Sequence, residues 1–185
     1  MINEIQAWFR NYTASFNTAN PQDNRNFQLK SEHCLRVSDI AGDIAFHEGF
    51  SKQDYQLARV IGLLHDIGRF EQYRQFQTFA DHKSIDHGQL GVTVLQKTSL
   101  LNAMNHEEQE IMIKSICHHN RSSLPTDESS RILMFIKLVR DADKLDIFEL
   151  SYNYFKTRTE KNKNTTLELH VHNGEAISDK IFEQI

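Results

Sequence analysis

Only 2 prolines and 7 glycines occur in 185 residues. So few breakers exclude a many-turned β protein and favour long helices. Cysteine is scarcer still. Cys34 and Cys117 are too few for a disulfide scaffold, and they fit a reducing, cytoplasmic setting. No apolar run reaches the length of a transmembrane helix, and the opening MINEIQAWFR lacks the apolar region of a secretory signal, so no membrane partner is expected. Long basic runs are missing too. With a net charge of -4, the chain has no electrostatic grip suited to a nucleic acid polymer, whereas a small phosphorylated substrate fits. What is present is 39% hydrophobic and 10% aromatic residues, enough for a folded core. The 10 histidines stand out, because they fall in separate contexts and not in one tract.

The pattern along the chain reads as all-α. Residues 2–17 predict a first helix, and residues 18–27, TANPQDNRNF, a loop. A second helix is expected from about Leu29 to His47, closed by Gly49. Its apolar face is Val37, Ile40, Ala41 and Ile44, with His33 one turn before Val37. Ser51 reads as the N-cap of a third helix, in which Leu57, Val60, Ile61, Leu64 and His65 follow the amphipathic template; Gly68 reads as its C-cap. Residues 69–84 are polar, aromatic and weakly periodic. They read as a partly ordered loop over a site, pinned by Phe70, Tyr73, Phe76 and Phe79, a set that could also stack a nucleobase.

Shorter helices are expected over Asp86 to Gln96 and Asn105 to His118, then a loop at 120–127 and a long helix from about Ser129 to Phe155. Residues 157–165 read as charged and mobile, Leu167, Leu169 and Val171 as a short strand, and the chain end as a helix. The organisation is then an N-terminal helix and loop (1–28), a principal domain (29–156) and a C-terminal segment (157–185) packing on it. A homo-oligomer is left open.

Several polar residues interrupt apolar faces. His65-Asp66 ends the most regular apolar stripe, and a helix points adjacent residues about 100° apart, so both converge on one buried point only where the helix ends. Burying Asp66 costs several kcal/mol unless a partner compensates, and a divalent cation is such a partner. Asp143 continues the stripe of Ile132, Ile136 and Val139, whereas Asp141 and Asp146 fall off it and read as solvated. His118-His119 ends another helix. Cys34 and Cys117, next to these histidines, read as small buried fillers.

The order His33, His65-Asp66, Asp143, in the segments SEHCLRVSDIAGDIA, VIGLLHDIGRF and VRDADKLDIF, resembles the HD-domain superfamily of metal-dependent phosphohydrolases over about residues 29–155. The resemblance implies a helical bundle in which His33, His65, Asp66 and Asp143 ligate one divalent ion, Asp141 being the alternative to Asp143. His87, His118 and His119 match, in order, the added histidines of two-metal HD-GYP members, but no Gly-Tyr-Pro follows, so the metal logic carries over and the cyclic-dinucleotide substrate does not. His87 and His118 are equally open to a supporting or substrate-contacting role.

The implied reaction is hydrolysis of a phosphomonoester or phosphodiester by metal-activated water. Asp66, Arg69 and Lys144 are the catalytic candidates, and Arg36, Arg69 and Arg74 the phosphate clamps, with Lys83 a loop charge. Two neutral histidines and two aspartates around one divalent ion sum to zero charge. A second ion brings the site to about +2, suited to a phosphate dianion. Imidazole with carboxylate suits Mn, Fe, Co, Ni or Zn, and Mg with more water ligands. The same scaffold would serve a non-catalytic metal or nucleotide sensor, or a di-iron oxidase. Scattered core histidines of a helical interaction protein are the least specific alternative.

Overall fold

Start and stop signals in the chain place most of the helices. A computed structural model describes residues 2–157 and residue 159, and these are all-α. The helices are α1 (Ile2–Ala14), α2 (Pro21–His47), α3 (Lys52–Leu64), α4 (Gly68–Phe76), α5 (His87–Gln96), α6 (His106–His118) and α7 (Ser130–Thr157), with 3-10 turns at Asp81–Lys83 and Leu100–Ala103. Ser51 caps α3 by accepting from the Asp54 N–H, and Asp86 caps α5 by accepting from Gln89. Asn105 and Glu108 close a reciprocal capping box at α6. Gly49, at φ 71°, turns the chain after α2.

Three expectations need correction. The loop over 18–27 is shorter, since α2 starts at Pro21 and not near Leu29. The Asn20 side chain accepts from the Gln22 N–H, and Pro21 takes the first helical position, where no N–H is required. The turn-forming residues there are a helix start. Gly68 does not cap α3, which ends at Leu64; it is the first residue of α4. A Cβ on Gly68 would lie 2.2 Å from the His87 carbonyl oxygen and 2.5 Å from the Gly91 nitrogen, so the glycine permits α4 to meet the start of α5. Residues 69–84 are not mainly loop, because α4 occupies the first half, burying Phe70, Gln72 and Tyr73 and leaving Phe76 exposed.

By its contacts the chain divides into two units, Met1–Ile147 and Phe148–Ile185. Within the first, α2 packs along α3, α4 along α5, and α5 along α6. Val37 and Ala41 of α2, Leu57, Val60, Ile61 and Leu64 of α3, and Phe135, Ile136 and Val139 of α7 are fully buried. A second cluster gathers Phe9, Phe16 and Phe27 around Phe70, at ring-centroid distances of 6.1, 5.7 and 6.2 Å. Burying each such side chain is worth about 1.5–3 kcal/mol. The second unit is described only at the end of α7 and at residue 159. The expected strand at 167–171 and the terminal helix lie outside the described residues. Among the described residues no helix is long and apolar enough to cross a membrane.

Candidate metal centre

Five elements deliver polar side chains to one centre. α3 stops at Leu64, so His65 and Asp66 sit in the short turn before α4 and both face inward, 0% and 3% exposed. α2 contributes His33 from its buried face, and α7 contributes Asp143. The first residue of α5 is His87, and His119 follows α6 directly. The Nε2 atoms of His33 and His65 are 3.2 Å apart, and those of His87 and His119 are 3.0 Å apart. His65 and His119 join the two pairs, their ring centroids 5.0 Å apart. The four rings therefore form one row.

Asp66 lies along that row. Its Oδ2 is 3.7 Å from His33 Nε2 and 3.8 Å from His65 Nε2. Its Oδ1 is 3.2 Å from His87 Nε2 and 3.6 Å from His119 Nε2. Asp143 Oδ1 adds to the first pair, at 3.1 and 3.5 Å from the two imidazoles. Potential ligand atoms of His33, His65 and Asp143 all fall within 4.8 Å of one another, as do those of His65, Asp66 and His119.

Each ring has its other nitrogen engaged outward. Nδ1–H of His65 donates to the Gly62 carbonyl at 2.7 Å, and that of His119 to the Ile116 carbonyl at 2.8 Å. His33 donates to Asp146 at 2.6 Å, and His87 to Asp81 at 2.7 Å. These partners set the tautomer and leave every Nε2 lone pair facing inward. Lone pairs at 3.0–3.2 Å repel unless a proton or a cation lies among them. Burial alone would lower the His33 pKa, but the Asp143 and Asp146 carboxylates raise it. The inward donor set of imidazole and carboxylate, with no thiolate, fits divalent transition ions.

The carboxylates are correspondingly acidic. Burial alone would raise Asp66, but Lys30, His65 and Arg69 hold it well below the usual range. Asp143 is likewise lowered against its burial by His33 and His65, and Asp146 by His33 and Arg36. His119 is lowered, chiefly by burial, which favours its neutral form.

The structure thus brings together His33, His65, Asp66, Asp143, His87 and His119. It does not bring His118, which is half-buried and, among the described residues, belongs to neither group of potential ligands. Arg69 reaches the site: its guanidinium lies 3.4 Å from Asp66 Oδ1 and bonds Asp81, Gln72 and the Phe79 carbonyl. Arg36 works through another residue, holding Asp146 Oδ1 at 2.5 Å and Oδ2 at 3.0 Å. Arg74 pairs with Glu71 on the surface, and exposed Lys144 lies 3.5 Å from the Arg140 carbonyl, so neither joins the row. Asp141 and Lys83 are exposed. Cys34 is fully buried and Cys117 is half-buried, less than expected of it.

Asp146 requires a correction. It is 1% exposed and not solvated, because His33 Nδ1 and Arg36 draw it inward. Sequence reasoning also missed Lys30, whose Nζ is 2.9 Å from Asp66 Oδ2, and Asp81, the hub linking His87, Arg69, Gln72 and Asn120. The signal for Lys30 was its place one turn before His33. No local pattern marked Asp81.

Among known proteins, the chain is similar to an uncharacterized protein of Methanocaldococcus jannaschii, 36% identical over 69 residues; the match spans 36% of this chain and 34% of that protein. No solved structure gives a significant match. The HD domain family matches residues 31–150, the stretch that carries His33, His65, Asp66, His87, His119 and Asp143. This chain belongs to the HD-domain superfamily of metal-dependent phosphohydrolases.

Proposed function

We propose that this chain hydrolyses a small, nucleotide-like phosphate ester with water activated by divalent metal. One observation carries the reading: four imidazoles turn Nε2 inward along both oxygens of Asp66, each ring fixed by a partner behind it. His33, His65, Asp66 and Asp143 would hold one ion, and Asp66, His87 and His119 a second. A bound ion supplies Lewis acidity and lowers the pKa of water from 15.7 toward about 7. The chain's own groups do the rest. Asp66, kept ionised, accepts a hydrogen bond from the attacking water. Asp81 and Asp146 hold the two end imidazoles in the ligating tautomer. Arg69 ties the turn after α4 to Asp66 and shields that side of the site. Two free cysteines suit a reducing cytoplasmic setting.

A panel of phosphomonoesters and phosphodiesters, assayed with Mn, Co, Ni, Zn and Mg, tests the proposal. Metal-dependent release of product is expected. Tight nucleotide binding without turnover would instead favour a sensor. Oxygen uptake with iron, together with inactivity of the redox-inert ions, would favour a di-iron oxidase.

A further inference from the structure

Phosphoryl recognition beside a metal needs a cation that is able to leave its present partner, and the expected clamps are committed elsewhere. Arg69 is bonded to Asp81, Gln72 and the Phe79 carbonyl, Arg36 chelates Asp146, and Arg74 sits with Glu71 away from the row. Lys30 differs. Its Nζ donates to Asp66 Oδ2 at 2.9 Å, the same oxygen that faces His33 and His65. It stands one turn before His33 on α2, so the helix carries ammonium and imidazole to the same side. Its side chain is 23% exposed where Asp66 is 4%, which puts the ammonium on the solvent side of the carboxylate. The ring of Phe79 lies 5.5 Å from Nζ, and Tyr73 backs Phe79 at 4.7 Å, so an aromatic wall guides the ammonium.

A divalent ion held by His33, His65, Asp66 and Asp143 would compete with this ammonium for Asp66 and repel it, since like charges a few ångströms apart in a poorly solvated site interact strongly. A flexible four-carbon stem lets the ammonium swing. The partner that compensates it is an anion seated at the ion. We propose that Lys30 is a substrate-phosphate ligand of this centre, exchanging Asp66 for a phosphoryl oxygen when divalent metal is bound. The assignment rests on reading the site as a phosphohydrolase centre.

Calorimetric titration tests it with Mn alone, then with inorganic phosphate added to the Mn-loaded protein, for wild type, Lys30→Met and Lys30→Arg, each checked for helical content. Lys30→Met should bind Mn at least as tightly as wild type, yet bind phosphate about 10- to 100-fold more weakly, the loss of a hydrogen bond to a charged group. Lys30→Arg should recover part of that loss. Phosphate binding to Mn-loaded Lys30→Met at wild-type strength overturns the proposal. So does loss of Mn by that variant, which would make Lys30 a prop for Asp66. Ester turnover, measured separately, keeps the two readings apart: Lys30-dependent phosphate binding with no hydrolysis of any ester leaves this assignment standing and removes the hydrolase reading.

Discussion

Asp146 and Asp81 anchor opposite ends of the histidine row. Each takes the Nδ1–H of an end imidazole, and each has an arginine of its own, Arg36 and Arg69. Replacing such a partner lowers metal affinity about 10- to 100-fold without removing a ligand. Asp146→Asn should therefore weaken the ion held by His33, and Asp81→Asn the ion held by His87, each leaving the other nearly unchanged. Calorimetric Mn titration of the two variants checks this, and equal losses at both ions would contradict the division. His33, His65 and Asp143 were legible in the sequence because each places a polar group on an apolar face, and Asp66 because it ends the most regular apolar stripe beside His65. Asp146 was not, because it lies off the stripe of Ile132, Ile136 and Val139, and its burial follows from the outward nitrogen of His33 and from Arg36. His118-His119 could not be resolved, since the choice depends on where α6 ends.

Where the elements meet, Gly68 sets how closely α4 approaches α5. Gly68→Ala places a methyl against the His87 carbonyl oxygen, and the conflict is relieved only by moving backbone. The expected cost is about 1–3 kcal/mol in urea denaturation, as for other overpacked sites. Mn binding should weaken at the His87–His119 side while the ion held by α2, α3 and α7 persists. A variant with unchanged stability and both ions retained would show that the contact relaxes freely. The cap of α3 was readable because it is a short-range side-chain to backbone bond. α4 was not readable. It spans nine residues, mostly polar, and is held by tertiary burial of Phe70 and Tyr73 against α1 and α2.

Over the whole molecule, the charges of the site couple folding to pH. Asp66, Asp81, Asp143 and Asp146 are all held below the ordinary carboxylate range. Their stabilisation is complete above an unfolded value of about 4 and is lost as pH falls toward the folded values. His33 has the opposite sign: its raised pKa stabilises fully below about 6.5 and is lost as pH rises through the folded value. The melting temperature of metal-depleted protein should accordingly climb between pH 3 and 5, and decline again above about pH 7. A flat profile would show that these charges are not coupled to folding. The all-α architecture was legible at this scale from the scarcity of breakers and the periodic apolar stripes.

Asp66 stands between the two groups of ligands, so elemental analysis of the purified protein after Mn loading probes the whole centre at once. More than one ion per wild-type chain, and loss of bound Mn from folded Asp66→Ala and Asp66→Asn, are the predicted results. Wild-type Mn content in either variant would contradict a metal centre built on this residue.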